Sequence, residues 1–413
     1  MVVKKIPITL PFIDQSEVDA VSEVIRSGWL VQGPKTKQFE DLFREFTGSK
    51  YAVAVSSCTT GLHLCLEALS IVNTKVIVPA FTFVATANVV EYTNSQVVFC
   101  DIDLNTFNIE VNELRNILEK DKSIKAVIPV NLFGLCADLP EIVKIAKDYG
   151  IKVIEDCACS FGGYINDIHS GNFGDCGCFS FHPRKAITTG EGGMIVTNDR
   201  EIYEILIRLR NHGAEVSDYH RHNNQYSFLL PEYNIRGYNY RMTDIQASIG
   251  ISQLKKADYI LKSRSQIVER YVNFFRNNFH KGRSLDSYFR LPLVPSGYRH
   301  GYQSFVVLFC MDESLFSSDI DIDAKLEIIS RWNVKRNEIM YELEKLGVST
   351  RQGTHSVHTL GYYKRKYGLR PQDFVNSYIA DRLSISLPLF PQMTDDEFLF
   401  ICDSLLKVIK VIV

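Results

Sequence analysis

From about residue 50 to residue 200 the chain alternates short apolar, β-rich runs with amphipathic stretches, and this alternation restricts its fold more than any other feature. Strands that alternate with helical patterns build a mostly parallel sheet covered by helices. The expected strands are Tyr51 to Val55, Lys75 to Val78, Val97 to Asp101, Ala126 to Val130, Lys152 to Glu155, Cys176 to Phe181 and Gly193 to Thr197. The expected helices are Thr60 to Ser70, Ala85 to Tyr92, Val111 to Glu119 and Leu139 to Tyr149, the last ending at Gly150. Ligands of open α/β sheets sit beyond the carboxyl ends of the strands, so the residues just after these runs are the candidates for function.

The second half reads differently. Residues 211 to 240 form a polar, aromatic-rich stretch too long for an ordinary connection, which marks a functional loop or interface segment. Thr243-Asp-Ile-Gln246 fits a capping box and opens a helix expected to run to about Phe279. β-like runs follow near Gln303 to Cys310 and Leu383 to Leu387, with helices near Lys325 to Leu346 and from Thr394, another capping box, to the end. At 413 residues two domains are the default. The expected division is a large α/β domain, 1–255, and a smaller α+β domain, 256–413.

Charge excludes one class of function. With 46 basic and 48 acidic residues the net charge is -2, which offers no global field for nucleic acid or an anionic membrane. The first residues, with Pro7 and Pro11, lack a cleavage pattern, and no run of ~18 apolar residues offers a membrane span. The expected protein is soluble and cytoplasmic. Several of the ten cysteines lie inside apolar runs, as in Leu308-Phe-Cys310, so reduced core thiols are expected in preference to disulfides.

The chemistry concentrates in two segments. Val153-Ile-Glu-Asp156 delivers an acidic pair at a strand end, and Cys178-Phe-Ser-Phe-His-Pro-Arg-Lys185 delivers a lysine into a loop closed by Gly190-Glu-Gly-Gly193. A desolvated lysine lowers its pKa and can form a Schiff base, while a carboxylate can keep a pyridine nitrogen protonated so that the ring accepts electrons. Each part alone has a plainer reading: a helix cap or turn for the Asp, surface charge for the Lys, a hairpin turn for the glycines. Val55-Ser-Ser-Cys-Thr-Thr-Gly61 adds a strand, a small polar turn and a helix start. Such a start is an anion site, in which Thr59, Thr60 and Ser180 are candidate phosphate ligands; the plainer reading is N-capping by Ser57 or Thr59.

With these segments in view, the chain resembles the DegT/DnrJ/EryC1/StrS group of sugar aminotransferases, within the aspartate-aminotransferase fold type I. The resemblance also rests on Ser27-Gly-Trp29 with Gly33-Pro34, Val78-Pro-Ala-Phe-Thr-Phe-Val-Ala-Thr86, Gly237-Tyr-Asn-Tyr-Arg-Met-Thr-Asp-Ile-Gln246 and Ser386-Leu-Pro-Leu-Phe-Pro391, in the family's order. It implies a pyridoxal 5′-phosphate enzyme with pyridoxamine 5′-phosphate as intermediate. Lys185 matches the Schiff-base lysine and proton carrier, Asp156 the pyridine-nitrogen partner and Phe83 the aromatic on the ring. Thr59, Thr60 and Ser180 match the phosphate ligands, and Asn239 matches a residue that reaches the neighbouring subunit's cofactor, which implies a homodimer with shared sites.

The implied reaction moves an amino group from L-glutamate to a nucleotide-linked keto sugar, giving an amino sugar for a glycan or a glycosylated metabolite. His182, Arg236, Tyr238, Arg241, Arg351 and His355 are candidate substrate ligands; Arg236 and Arg241 otherwise read as dimer or surface salt bridges. The chain departs from the family at Cys159, where Gln or His is usual, at Arg351-Gln-Gly-Thr-His-Ser-Val-His358, and in a longer stretch from about Asp312 to Lys335. Family members that remove a hydroxyl carry His in place of the lysine, so Lys185 argues against that branch. A keto-cyclitol acceptor and a non-catalytic binding protein for cofactor or sugar nucleotide are the competing readings. Cys157-x-Cys159 and Cys176-x-Cys178 lack usual zinc spacing, and no metal is expected.

Overall fold

The computed structural model describes residues 5–215, 230–310, 312–317 and 320–413. Its centre is a seven-stranded sheet. In chain order the strands are β1 (Tyr51–Val55), β2 (Lys75–Pro79), β3 (Gln96–Cys100), β4 (Ile124–Val127), β5 (Lys152–Asp156), β6 (Cys176–Ser180) and β7 (Gly193–Thr197), laid side by side as β1-β7-β6-β5-β4-β2-β3. Only β7 runs against the rest. The carboxyl ends of the six parallel strands therefore open on one edge, the edge singled out from sequence.

Side chains alternate between the two faces, and both faces are covered. On β1, Val53 and Val55 face one core with Leu62 and Leu66, while Ala52 and Ala54 face another with Phe39 and Phe43. The first core is closed by helices α3 (Cys58–Ala68), α4 (Ala85–Tyr92) and α7 (Arg200–Arg210); the second by α2 (Pro34–Thr47) and α8 (Asp244–Lys255). Helices α5 (Val111–Lys120) and α6 (Leu139–Tyr149) cover the other half of the sheet through Leu114, Leu118, Ile142 and Ile145. Helix α1 (Gln15–Ser27) starts on a capping box of Asp14 and Glu17 and stops at Gly28, whose φ of 74° a residue with a Cβ rarely adopts.

The helix expected from Thr243 to Phe279 is two helices. The capping box of Thr243 and Gln246 is present, but α8 ends at Lys255 and α9 (Ala257–Asn277) begins beyond Lys256, which sits at φ -100° and ψ 3°. Lys256 Nζ lies 2.5 Å from Glu17 and 3.2 Å from Asp14 at the start of α1. That long-range tie accompanies a break that the continuing helical pattern does not announce.

Beyond it, β8 (Phe289–Arg290), β9 (Phe305–Phe309) and β10 (Ser384–Leu387) form an antiparallel sheet in the order β8-β9-β10. It packs on α9, α10 (Ile322–Lys345) and α13 (Asp395–Ile412) through Tyr271, Phe275, Ile339, Leu343, Ile401 and Leu405, while α11 (Gly361–Tyr367) packs on the large sheet's core through Tyr363 and α12 (Val375–Leu383) packs with Phe81, Val130, Val306 and Leu308. Ile6 joins this second core and pairs with Val348. Most of the long stretch from Asp312 to Lys335 is a short turn, Glu313–Phe316, and the first half of α10; residues 311, 318 and 319 lie outside the described residues, as do 1–4 and 216–229, the middle of the 211–240 segment.

Among the described residues no helix is long and apolar enough to cross a membrane, and no cluster of three or more His, Cys, Asp or Glu side chains is arranged to hold a metal ion.

Candidate active site

The acidic pair at the end of β5 divides its work. Glu155 is fully buried and accepts from the backbone N–H groups of Gly171 (2.6 Å), Phe173 (2.8 Å) and Gly174 (2.9 Å), so it pins a loop. Asp156, 4% exposed, accepts from Ala158 N at 3.0 Å and from the Thr86 hydroxyl at 2.8 Å. Thr86 is itself buried in α4 and its hydroxyl lies 3.0 Å from that of Thr82. Burial pushes the Asp156 carboxyl above its usual range, against the lowering pull of these two donors and of Lys185. Among the described residues no cationic N–H donates to this carboxylate.

Lys185 reaches the same pocket from the loop after β6. Its Nζ donates to Cys159 Sγ at 3.2 Å, and its backbone N–H donates to His182 O at 2.8 Å, closing the turn that presents it. Burial alone would lower its pKa, as anticipated from sequence. The Cys159 sulfur, which accepts from Nζ, and the Asp156 carboxylate work against burial, and the net direction is upward. Gln303, at the foot of β9, donates from Nε2 to Arg184 O at 2.8 Å and so ties the second sheet to the lysine loop.

The turn after β1 completes the floor. Ser57 caps α3: its hydroxyl accepts from Thr60 N at 3.1 Å, and the Thr60 hydroxyl accepts from Ser57 N at 3.1 Å. The plainer reading thus holds for Ser57, and Thr60 serves the cap; Thr59 beside it makes no side-chain hydrogen bond among the described residues. The first N–H groups of α3 are left pointing out of the helix, which suits an anion. Gly193 is required here, because a Cβ on it would lie 2.5 Å from Ser57 C and 2.6 Å from Cys58 N. Ser180, at the end of β6, accepts from His182 N at 3.4 Å.

A buried carboxylate short of a cation, an amine within its electrostatic reach and a helix start free for an anion fit the three polar handles of pyridoxal phosphate. Phe83, 61% exposed, follows the Phe81–Thr82 strand, which pairs with His355–Ser356 so that His355 stands opposite Thr82. His355 is a strand residue, and the buried His358 belongs to a 3-10 turn.

The remaining candidates are dispersed. Arg241 bridges Val55 at the outer edge of β1, with its Nη1 donating to Asn211 Oδ1 at 2.8 Å; Asn239, exposed, pairs with Asn211 through the backbone. Arg351 is exposed and pairs with Ser386 at the edge of β10. Tyr238 donates to Glu67 at 3.0 Å and Arg236 lies 3.7 Å from the same carboxylate. Glu67 is near the far end of α3, about 15 Å along the helix from its cap, so the structure does not bring Arg236 and Tyr238 to the Lys185 of their own chain. Thr86 and Gln303 were absent from the sequence-derived site, and no local pattern marked either of them.

Comparison with known proteins agrees with this geometry. The chain is 37% identical to an uncharacterized protein of Methanocaldococcus jannaschii over 97% of its length and 96% of the relative's. It is 31% identical to the GDP-perosamine synthase of Escherichia coli O157:H7 over 97% of its length and 98% of that enzyme's. The structure matches Helicobacter pylori PseC, an aminotransferase involved in the biosynthesis of pseudoaminic acid, with a TM-score of 0.85 and 25% identity over 99% of this chain and 100% of that one. The profile of the DegT/DnrJ/EryC1/StrS aminotransferase family matches residues 11–289 and 321–406. With lysine, aspartate and anion turn assembled at one sheet edge, the chain belongs to that family and is a pyridoxal-phosphate-dependent aminotransferase.

Proposed function

We propose that the protein transfers an amino group from L-glutamate to a nucleotide-linked keto sugar, yielding an amino sugar for a glycan or a glycosylated metabolite. The observation that carries this reading is the Lys185, Asp156 and α3 assembly in a chain 31% identical along nearly its whole length to a GDP-perosamine synthase. The bound cofactor supplies an electron sink and, as pyridoxamine 5′-phosphate, carries the amino group between donor and acceptor.

The chain's own residues do the rest. Asp156, braced by Thr86 and Ala158, holds the ring nitrogen in its protonated form. Phe83 covers the ring, Cys159 borders it, and Thr59, Thr60, Ser180 and the start of α3 hold the phosphate. Lys185 Nζ would take the proton from the donor's Cα and return one to the acceptor carbon in the second half. Asn239, exposed at the sheet edge, reaches the neighbouring subunit's phosphate in a homodimer with shared sites. His182, His355, Arg241 and Arg351, with Arg236 and Tyr238 reaching across from the partner, bind the carboxylates of the donor and the diphosphate and hydroxyls of the sugar nucleotide. Residues 1–255 hold the cofactor and 256–413 close over the substrate.

The test is a panel of keto-sugar nucleotides and keto-cyclitols incubated with enzyme and L-glutamate, with products weighed by mass spectrometry. Amination of a sugar nucleotide is expected. Amination of cyclitols alone would reassign the acceptor, and no turnover of either class, with glutamate unconsumed, would remove the proposal.

A further inference from the structure

Cys159 differs from the other nine cysteines. They are buried, whereas Cys159 is partly exposed in the pocket that holds Lys185. The Lys185 amine donates to its sulfur at 3.2 Å, and this is the side-chain hydrogen bond the amine makes among the described residues. Other groups face Nζ from every side of the pocket: Cys58 from the first turn of α3, Asp156 from the end of β5 and His182 from the lysine's own loop. Burial favours the neutral amine; Cys159, ahead of Cys58 and Asp156, favours the ammonium, and the balance lies with the ammonium.

We propose that Cys159 is a positioning residue for Lys185, its sulfur anchoring the amine at the pocket floor and opposing its release to the incoming cofactor. An ammonium hydrogen-bonded to sulfur has no lone pair to offer, so its proton must leave for solvent before the amine can act. Sulfur is a weak acceptor, so the anchor holds the amine in place and still yields once the cofactor fills the pocket. The proposal rests on the cofactor reading of this pocket.

The test starts from cofactor-free wild type, Cys159→Ala and Cys159→Ser. Each is mixed with pyridoxal phosphate from acid-neutral to alkaline pH while the lysine-dependent visible absorbance is followed. Loss of the sulfur should free the amine at lower pH, so the pH of half-maximal capture in Cys159→Ala should fall below that of the wild type. Cys159→Ser, which keeps an acceptor, should lie between. A second readout needs no cofactor. Iodoacetamide labels thiols by forming a sulfur–carbon bond as iodide leaves and the thiol proton passes to solvent. Label should appear on Cys159 before the nine buried cysteines, and Lys185→Met should change the rate at Cys159. Coincident capture profiles, or labelling of Cys159 indifferent to Lys185, would overturn the proposal and leave the cofactor reading standing. Absence of any Lys185-dependent absorbance in wild type would instead remove the cofactor reading and the proposal with it.

Discussion

Asp156 is buried and useful only while ionised; burial raises its pKa, and the Thr86 hydroxyl is the side-chain donor that pulls it back down. The Thr86 hydroxyl donates to Oδ2 at 2.8 Å in a site closed to water. Thr86→Val keeps the shape and removes the donor, which costs about 1–2 kcal/mol at a charged acceptor. We expect kcat to fall by about tenfold, with recovery in Thr86→Ser; kcat and urea-unfolding curves of the three proteins check this. The partnership joins residues 70 apart, so sequence could name Asp156 and not its brace. Lys185 shows the same limit in another form. Its loop was legible, but the sign of its pKa shift depends on Cys159 and Asp156, whose proximity only the fold reveals.

The strands were legible as elements because each is a short apolar run with both faces buried. Their common edge followed from the alternation with helices. The turn after β1 was legible as a helix start, while the reason for its shape lies across the sheet: β7 brings Gly193 against Ser57 and Cys58 so closely that no Cβ fits. Gly193→Ala should therefore displace the turn, destabilise the protein by about 1–3 kcal/mol, and weaken pyridoxal phosphate binding more than it weakens substrate affinity. Equilibrium dialysis of the cofactor and thermal unfolding would show it; unchanged affinity would mean that the α3 start does not hold the phosphate.

Helices α2 and α7 are joined by a buried ion pair, Glu40 with Arg210 at 2.5 Å, and Glu40 also accepts from Ala54 N of β1 at 2.9 Å. Removing Glu40 alone leaves a buried guanidinium unpaired, so Glu40→Ala should cost about 3–5 kcal/mol, measured by urea unfolding. Conversely, the break at Lys256 was invisible in sequence because the side chain's partners, Asp14 and Glu17, are some 240 residues away.

At the scale of the whole molecule, the second half of the chain buries polar groups where α9 meets the approach to β9. Arg264 of α9 is 1% exposed and donates to the carbonyls of Gln303 at 3.1 Å and Tyr302 at 3.3 Å. His300, just before them, is buried; burial lowers its pKa to about 3, and its Nδ1 accepts from Tyr302 N at 2.8 Å. A histidine kept neutral in the fold costs stability once the unfolded chain can protonate it. Its contribution is complete above its ordinary pKa near 6.5 and is lost as pH falls from there toward 3. His300→Asn keeps an acceptor without the titration. Between pH 7 and pH 5 the wild type should lose about 2 kcal/mol more than this variant, read from urea unfolding at both pH values; parallel losses would contradict the assignment.

The central claim is that Lys185 carries the cofactor and L-glutamate is the donor. The most direct measurement is the visible absorption spectrum of purified protein supplied with pyridoxal phosphate, for wild type and Lys185→Ala, before and after L-glutamate. The account requires a visible band in wild type that Lys185→Ala lacks and that glutamate bleaches. A band that persists without Lys185, or one that glutamate leaves unchanged, would contradict it.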